Sequence, residues 1–294
     1  MSESEVQSYM DFVLPLVLES GKNLLGIEQI NPEIKNGNDW DVVTIYDRKI
    51  EDLLIQKLKQ KYTTHKFIGE EESSANKRIA TLTNSPTWII DPIDGTANFV
   101  KRMPITCISV GLTINKERVF GIIYNPYMNE LFTAKRGHGA FLNGQRIFTS
   151  GETDIKKCIF NYELSLAIQN EQLMELYMSR LKFLINEISG IRSYGSAALG
   201  LCYVACGRID AYQCDGLYPW DVAAGTLIVE EAGGSVVDSG GKPFDLMNPN
   251  FLASSTETLE AQFMKTERAA DAFREKNKTN QFLPEDVIRN EKTK

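Results

Sequence analysis

The sequence of 294 residues lacks the features that mark several large classes of protein. No apolar run approaches the roughly 18 residues of a membrane span, so we expect no membrane-spanning helix. Residues 1–5 are polar and acidic, and no basic stretch leads into an apolar one, so we expect no signal peptide. The 32 Lys and Arg are outnumbered by 39 Asp and Glu, which leaves a formal charge of −7. Such a chain has no general attraction to nucleic acid or to an anionic membrane, and we predict neither as a partner.

Soft metal ligands are also scarce. The sequence has two histidines, His65 and His138, and neither lies in a metal-binding motif. The cysteines show no CxxC spacing, so we interpret them as small core residues of a cytoplasmic protein in a reducing compartment. The five cysteines are Cys107, Cys158, Cys202, Cys206 and Cys214. With 43% hydrophobic and 24% charged residues, the composition is that of an ordinary globular protein.

Apolar residues at helical spacing predict helices in both halves of the chain. The first of these helices contains Pro15, where a kink is expected. The last begins near Pro219 and ends before Gly233 and Gly234, in keeping with the usual proline and glycine signals at helix ends. The predicted helices cover residues 5–25, a stretch beginning at 47, and residues 171–184, 196–206 and 219–232.

Apolar runs of a different period predict strands between these helices. Several of them lie between residues 105 and 142 and are joined by short turns, which indicates an antiparallel sheet. The predicted strands cover residues 66–69, 87–91, 105–114, 119–124, 130–134, 158–162, 209–213 and 235–237. Strands in runs and helices in pairs favour alternating layers, which is an α+β fold. No linker divides the chain, so we predict one domain over residues 1–273 and a polar tail over 274–294.

The segment WIIDPIDGTANF, residues 88–99, carries the clearest chemical signal. An apolar strand ends at Asp91, and Asp94 follows in a tight turn before Gly95. A strand end followed by such a turn aims both carboxylates at one point, where they repel each other unless a proton or a cation lies between them. A set of oxygen ligands favours a hard cation such as Mg²⁺. Taken alone, the two residues are equally consistent with a turn and a helix cap.

Two further acidic positions shift the balance towards a metal centre. Glu70 directly follows the predicted strand 66–69, and Asp221 lies in the first turn of the predicted helix 219–232. Each has an ordinary explanation on its own, as part of a solvated acidic run or as a partner of the helix dipole. Together with Asp91 and Asp94, they place four carboxylates at the ends of regular elements. That is the composition of a site for two or three Mg²⁺ ions.

At these residues the sequence resembles the inositol monophosphatase family, part of the magnesium-dependent, lithium-sensitive phosphatase superfamily. The resemblance covers about residues 5–270 and rests on three acidic motifs in the family's order and spacing. These motifs are Glu70-Glu71 after a strand, the run from Asp91 to Thr96, and Trp220-Asp221 followed by Gly233-Gly234. Smaller similarities are Asp41 and Asp47 around Val42-Val43-Thr44, GHGAFLNG at 137–144 and RSYGSAA at 192–198. The resemblance implies a layered αβαβα sandwich of the inositol monophosphatase and fructose-1,6-bisphosphatase type, and a homodimer.

The resemblance also implies a ligand set for Mg²⁺, with two or three ions in each subunit. Glu70, Asp91 and the backbone carbonyl of Ile93 would hold one ion. Asp91, Asp94 and Asp221 would hold a second, with Asp91 bridging the two, and a third ion would lie near Glu70. Li⁺ is the inhibitor expected from the family.

The same resemblance implies the catalytic and substrate-binding roles. Thr96, hydrogen-bonded to Asp47, would help to deprotonate a metal-activated water, with Glu70 as the third catalytic residue. The backbone N–H groups of Gly95 and Thr96 would hold the phosphate of the substrate, with Asp221 beside it. The alcohol side of the substrate pocket would be lined by Gly195, Ser196 and Ala197.

The sequence departs from the family's pattern on this alcohol side. At Cys214 the family has a Glu that hydrogen-bonds inositol hydroxyls, and the neighbouring Asp215 would face the other way in a strand. Residues 163–167, ELSLA, are more apolar than the Gly- and Ser-containing loop of the family. The sequence therefore specifies the metal centre better than the sugar selectivity, since a lost hydrogen bond to a hydroxyl relaxes selectivity by orders of magnitude.

The predicted function is Mg²⁺-dependent hydrolysis of inositol monophosphate, or of a related small polyol or sugar phosphate, to an alcohol and inorganic phosphate. One alternative keeps this chemistry but takes a nucleotide 3′-phosphate or a sugar bisphosphate, although residues 164–168 lack the basic side chains that a bisphosphate would need. Another is a weakly catalytic paralogue that binds a phosphorylated ligand or a partner protein. The intact set of Asp47, Glu70 and Thr96 favours an enzyme, because a pure binding protein does not need to activate water.

Overall fold

The computed structural model describes residues 3–35 and 42–277. Asp41 and most of the predicted tail lie outside the described residues. The α-helices of the described chain are α1 (Glu3–Leu25), α2 (Ile45–Lys61), α3 (Glu70–Asn76), α4 (Thr96–Val100), α5 (Glu171–Leu184), α6 (Ala197–Ala205), α7 (Pro219–Glu231) and α8 (Glu257–Asn277). Two 3₁₀ helices cover Ile155–Lys157 and Leu164–Gln169.

The first large sheet has seven strands, and their order in space follows their order in the chain. It is preceded by a small antiparallel pair, β1 (Glu33–Ile34) and β2 (Val42–Val43). The seven strands are β3 (Lys66–Gly69), β4 (Thr87–Asp94), β5 (Cys107–Ile114), β6 (Glu117–Asn125), β7 (Glu130–Lys135), β8 (Gly139–Leu142) and β9 (Gln145–Ile147). Only β3 and β4 are parallel, and every later pair is antiparallel. The antiparallel sheet predicted for residues 105–142 is therefore confirmed.

The second sheet has five strands in the order β11-β10-β12-β14-β13. They are β10 (Ile159–Tyr162), β11 (Gly190–Arg192), β12 (Ala211–Cys214), β13 (Ser235–Val237) and β14 (Phe251–Ser254). β10 runs parallel to both β11 and β12, whereas β14 is antiparallel to β12 and β13. Helices connect the parallel strands, as such crossovers require.

Helices and sheets alternate in five layers. α1 and α2 pack on one face of the first sheet, and α6 and α7 fill the space between the two sheets. α5 and α8 cover the outer face of the second sheet. Each apolar sheet face is thereby covered by an apolar helix face. The predicted α+β fold with αβαβα layers is confirmed.

α7 approaches the first sheet closely because two strand positions have no side chain. A Cβ atom on Gly111 in β5 would lie 3.0 Å from the Cβ of Ala223. A Cβ atom on Gly121 in β6 would lie 2.7 Å from the carbonyl oxygen of Ala224. The helix therefore rests almost directly on the backbone of the two strands. This packing sets the position of its first turn, which carries Asp221.

Two predicted boundaries differ in ways that concern the candidate site. The strand predicted over 87–91 continues to Asp94, and its register against β5 shifts between Asp91 and Asp94. Such an irregularity bends a strand without ending it, whereas the sequence had predicted a strand end at Asp91 followed by a tight turn. The helix predicted from residue 47 begins at Ile45, because the side chain of Thr44 caps it.

The sequence analysis assigns no element beyond residue 237, whereas β14 and α8 lie there. The signal for α8 was present, since the buried residues Leu259, Phe263 and Ala270 recur at helical spacing among many charged ones. α8 continues to Asn277, so the first residues of the stretch predicted as a tail are helical. The remainder of that stretch lies outside the described residues.

No helix in residues 3–35 and 42–277 combines the length and the apolar character that crossing a membrane requires. All five cysteines are free, and four of them are buried. Cys206 is partly exposed. These positions agree with the prediction that the cysteines are core residues.

Candidate metal centre

Three carboxylates from two distant parts of the chain meet at the C-terminal end of β4. Asp91 and Asp94 belong to that strand, and Asp221 lies in the first turn of α7. One carboxylate oxygen from each lies within 4.8 Å of those of the other two. Asp91 and Asp94 are buried, and Asp221 is partly exposed. The shift in strand register lets two residues three positions apart face the same point.

This cluster concentrates negative charge where little water is present. Burial, reinforced by repulsion from Glu70, Asp94 and Asp221, raises the pKa of Asp91 well above its ordinary value. Burial and the charge of Asp94 likewise raise the pKa of Asp221. Burial raises the pKa of Asp94 to about 6, although hydrogen bonds to its carboxylate oppose the shift. A proton or a cation among the three carboxylates relieves the repulsion.

Asp94 is held in place by the start of α6, which belongs to the second half of the chain. Its Oδ1 accepts the N–H of Ala197 at 3.2 Å, and its Oδ2 accepts the N–H of Ala198 at 2.9 Å and the hydroxyl of Ser196. Cys107 lies close by, with its sulfur 3.6 Å from Oδ2. Ser196 and Ala197 thus contact a predicted metal ligand in addition to lining the pocket.

Glu70 lies beside the three-carboxylate cluster at the start of α3. It is close enough to Asp91 to raise the pKa of that residue. Its Oε1 is 2.6 Å from the Nζ of Lys35, which also contacts the Oε1 of Glu71 at 2.6 Å. Burial alone would lower the pKa of Lys35, but the two carboxylates raise it. Nothing in the polar loop around Lys35 singled this residue out in the sequence.

Asp47 and Thr96 meet next to the cluster. The Thr96 hydroxyl lies 3.2 Å from Oδ1 of Asp47 and 2.9 Å from the carbonyl oxygen of Ile93. Oδ2 of Asp47 accepts the backbone N–H of Thr44 at 2.8 Å as part of a capping box at the start of α2. Burial raises the pKa of Asp47 to about 6, although hydrogen bonds from Thr44 oppose the shift. A proton acceptor of this strength is suited to work near neutral pH.

Gly95 forms the turn between β4 and α4. Its φ of 80° lies in the left-handed region that side chains disfavour. A Cβ atom there would also lie 2.9 Å from the carbonyl oxygen of Ile105 and 3.0 Å from that of Gly195. The helix α4 begins at Thr96, so its first N–H groups have no acceptor within the helix. The turn therefore presents backbone donors next to the carboxylate cluster.

Two buried polar side chains that the sequence analysis did not assign hold the turn at Gly195. Asn98 donates from Nδ2 to the carbonyl oxygen of Ile105 at 2.8 Å and to that of Tyr194 at 2.7 Å. Glu163, 3% exposed, accepts the N–H of Tyr194 at 2.8 Å and that of Gly195 at 3.0 Å. Asn98 lies inside the DGTAN segment, which could have suggested it. No local signal marked Glu163 as a support of this turn, because Tyr194 and Gly195 lie about thirty residues away.

Neither Cys214 nor Asp215 is among the residues that line the candidate pocket. The thiol of Cys214 is buried, 3.5 Å from the hydroxyl of Tyr177 in α5. The carboxylate of Asp215 is also buried, and it accepts Nε2 of Gln213 at 2.9 Å and lies 3.5 Å from Nη1 of Arg180. Asp215 therefore does not take the place of the Glu that the family pattern has at Cys214. The expectation that Asp215 would face the other way is confirmed.

An open cavity of about 860 Å³ extends from the carboxylate cluster. The predicted residues that line it are Glu70, Asp94, Gly95, Thr96, Gly195, Ser196, Ala197 and Asp221. Asp91 and Ile93 lie beneath this surface, where both are buried. Buried carboxylate oxygens that repel one another are the donor set that a hard divalent cation prefers, so the residues present fit Mg²⁺.

The chain resembles known proteins along most of its length. The sequence profile described as the inositol monophosphatase family matches residues 9–272. The chain is 40% identical to mouse inositol monophosphatase 1 over 266 residues, which cover 88% of this chain and 94% of that relative. It is 43% identical to human inositol monophosphatase 2 over 220 residues, which cover 74% and 76% of the two chains. Among solved structures, the extragenic suppressor protein suhB from Bartonella henselae superimposes with a TM-score of 0.78 at 30% identity, covering 89% of this chain and 98% of its own.

Proposed function

Because the chain belongs to the inositol monophosphatase family, we propose that it is a Mg²⁺-dependent phosphomonoesterase. Its substrate is inositol monophosphate or a related small polyol or sugar phosphate. The observation that carries this proposal is the group formed by Asp91, Asp94 and Asp221, whose carboxylate oxygens lie within 4.8 Å of one another beside an open cavity. Such a group is repulsive without a cation and attracts phosphate once cations are bound.

The proposed ligands divide into two overlapping sets. Glu70, Asp91 and the carbonyl oxygen of Ile93 would hold one ion, and Asp91, Asp94 and Asp221 would hold another. A third ion would lie near Glu70, which now contacts Lys35. Bound Mg²⁺ supplies a water of lowered pKa, neutralises the phosphoryl oxygens and stabilises the departing alkoxide.

The chain's own groups orient the water and the phosphate. The Thr96 hydroxyl accepts a proton from the attacking water as its own proton passes to Oδ1 of Asp47, 3.2 Å away. The N–H groups of Gly95 and Thr96 donate to the phosphate. Glu70 helps to position the water, and Asp221 lies on the side of the leaving alcohol. The turn at Gly195, with Ser196 and Ala197, lines the pocket for that alcohol.

A nucleotide 3′-phosphate or a sugar bisphosphate is a second candidate substrate. Basic side chains are absent from residues 164–168, but Lys77 and Arg78 line the same cavity and are exposed. The positive charges of Lys77 and Arg78 favour a substrate that carries a second anionic group. This candidate uses the same carboxylate cluster, so only the substrate distinguishes it from the first.

A substrate panel tests the proposal. Phosphate release is measured with inositol, sugar and nucleotide monophosphates and with a sugar bisphosphate, in Mg²⁺ and in EDTA, with and without Li⁺. We expect Mg²⁺-dependent release that Li⁺ inhibits. Preference for the bisphosphate or the nucleotide supports the second candidate. No release from any member of the panel contradicts both and supports the weakly catalytic binding protein.

The proposal extends to the assembly and the organisation of the chain. We propose a cytoplasmic homodimer with a single phosphatase domain over residues 1–273. Light scattering coupled to gel filtration measures the mass in solution, for which twice the 33.1 kDa of one chain is expected. A chain that ends at residue 277 is expected to keep full activity, which would assign residues 278–294 no part in catalysis.

A further inference from the structure

The cavity beside the carboxylate cluster has a second wall that the proposed chemistry does not use. Two segments of the second half of the chain form it, the 3₁₀ helix Leu164–Gln169 and the loop before α7. They lie against each other, since a Cβ atom on Gly216 would be 3.0 Å from Leu173 and 3.2 Å from Gln169. Because the phosphate occupies the cluster, this wall faces the alcohol part of the substrate. The alcohol wall consists of Leu166, Ile168, Leu217 and Tyr218.

The alcohol wall is apolar and partly open to solvent. Ile168 is 52% exposed and Tyr218 is 51% exposed, which is unusual for large apolar side chains inside a cavity. Tyr218 stacks on Trp220 with ring centroids 4.9 Å apart and an angle of 17° between the planes. The polar groups among the wall's neighbours, Ser165 and Gln169, are uncharged. A ligand that covers these side chains gains free energy from the apolar area removed from water.

Glu163 also lines the cavity, away from the cluster and Glu70, and the oxygens of its carboxylate are already engaged. Oε1 accepts Nδ2 of Asn161 at 3.2 Å and the N–H of Tyr194 at 2.8 Å. Oε2 accepts the hydroxyl of Ser193 at 2.9 Å and the N–H of Gly195 at 3.0 Å. Four donors fill the carboxylate, so a substrate hydroxyl would have to displace a buried hydrogen bond.

The carboxylate of Asp215, the residue directly after β12, is also unavailable to the substrate. Asp215 is buried on the far side of the strand, where it faces Arg180, Gln213 and Ser239. Cys214 is buried and does not line the cavity, and its thiol lies 3.5 Å from the hydroxyl of Tyr177. Within the described residues, the alcohol wall therefore has no carboxylate to accept hydrogen bonds from a polyol. Hydroxyls pressed against the side chains of Leu166, Ile168 and Leu217 would lose their bonds to water, and these side chains offer none in return.

From this wall, and on the premise of the proposed phosphatase activity, we propose a narrower substrate class. The preferred substrate is a phosphate monoester whose alcohol turns an apolar ring face towards Leu166, Ile168, Leu217 and Tyr218. Hydroxyls are tolerated next to the ester, where the cluster lies, and are unfavourable elsewhere on the ring. A fully hydroxylated ring such as inositol is a poorer substrate of the same site.

Two substrates with the same reacting centre test this inference. D-myo-Inositol 1-phosphate and trans-2-hydroxycyclohexyl phosphate share a six-membered ring, a secondary ester and one neighbouring hydroxyl. We expect kcat/KM to be about 10-fold or more higher for the hydroxycyclohexyl ester, chiefly through a lower KM, because an apolar pocket discriminates against added hydroxyls only by factors of this order. A higher kcat/KM for inositol 1-phosphate overturns the inference while supporting the proposed function. Hydrolysis of neither ester, nor of any member of the panel, overturns both.

Wall variants show whether the preference comes from these side chains. Leu166→Ser and Leu217→Ser are each expected to lower the ratio of the two kcat/KM values about 10-fold. This ratio does not depend on the fraction of enzyme that is folded, so partial misfolding does not obscure it. Ile185→Ser, at an exposed position outside the cavity lining, is the matched control and is expected to leave the ratio unchanged. An unchanged ratio in both wall variants overturns the assignment to the wall.

Discussion

The carboxylate of Glu163 accepts the backbone N–H of Gly195 at 3.0 Å. The three residues that follow Gly195 all donate to the carboxylate of Asp94. Glu163, next to the second sheet, thus orients Asp94, a proposed metal ligand in the first sheet. The connection between them is the main chain of residues 195–198. Loss of a group that orients a metal ligand in this way typically lowers metal affinity or activity by about 10- to 100-fold.

Glu163→Gln tests this linkage. The amide keeps one acceptor oxygen but turns an NH₂ group towards backbone donors, so the turn at Gly195 shifts and Asp94 loses its fixed orientation. We expect the Mg²⁺ concentration for half-maximal activity to rise about 10-fold or more, with kcat lowered at saturating Mg²⁺. Glu175→Gln, exposed on α5, is the matched control. A loss of thermal stability without any change in Mg²⁺ dependence would limit Glu163 to a structural role.

Asp91→Asn tests the proposed bridging ligand. The amide has nearly the same shape but no charge, so both ions lose a ligand and the mutual repulsion of the cluster falls. Phosphate release is expected to drop about 10³-fold or more, and Mg²⁺ binding measured by calorimetry is expected to weaken. The same substitution relieves repulsion in the metal-free protein, whose unfolding temperature is expected to rise. Activity close to that of the unchanged protein would remove Asp91 from the ligand set.

Gly95→Ala tests the turn that presents the phosphate donors. The added Cβ meets a disfavoured φ of 80° and two carbonyl oxygens, at 2.9 and 3.0 Å. We expect a loss of about 2 kcal/mol or more in the free energy of unfolding, together with a large loss of activity. Gly137→Ala is a control that has the backbone strain of a positive φ without the steric collision. Gly137 has a φ of 79°, and nothing lies within 4 Å of the added atom. The control is expected to lose only about 1 kcal/mol in chemical denaturation and to stay active.

The stability of the metal-free protein depends on pH through the cluster. Folding raises the pKa of Asp94 from 3.8 to about 6 and raises those of Asp91 and Asp221 as well. The folded state therefore binds protons more tightly than the unfolded state, and stability is lost as the pH rises through this range. In EDTA we expect the unfolding temperature to fall by about 5 °C between pH 5 and pH 8.

Mg²⁺ reverses this dependence, because it binds the ionised carboxylates of the folded protein. We expect it to raise the unfolding temperature more at pH 8 than at pH 5, as measured by calorimetry in both conditions. Asp52→Asn, exposed on α2, serves as a control and is expected to leave both effects intact. An equal rise at both pH values would contradict a cation site made of these three residues.

The layered fold and the position of the acidic cluster could be predicted because their signals are local. The apolar run before Asp91 and the Pro-Gly signals around 219–232 are readable within a few residues. β14 and α8 were missed, although the apolar spacing of Leu259 and Phe263 could have indicated the helix. The continuation of β4 to Asp94 was missed because the residues after Asp91 were interpreted as a tight turn.

The contacts that orient the site could not be predicted, because they join residues far apart in the chain. Ser196 donates to Asp94 across 102 positions, and Asn98 reaches Tyr194 across 96. Side chains of these types most often form local hydrogen bonds, so residue type alone did not indicate their partners. The specificity of the pocket has the same limitation, since the carboxylate of Glu163 is occupied by backbone N–H groups of Tyr194 and Gly195, about thirty residues away.

Gly111 and Gly121, on which α7 rests, determine how far the carboxylate of Asp221 lies from those of Asp91 and Asp94. Ala224, which lies against Gly121, is three residues and about 4.5 Å along the helix from Asp221. A methyl group on Gly121 would push α7 away from the sheet. The carboxylate of Asp221 would then move away from those of Asp91 and Asp94. A substitution at Gly121 would therefore lower the affinity for Mg²⁺. Excess Mg²⁺ would restore the activity, whereas a second substitution that only stabilises the fold would not. Gly121 would therefore influence the metal centre although it does not line the cavity.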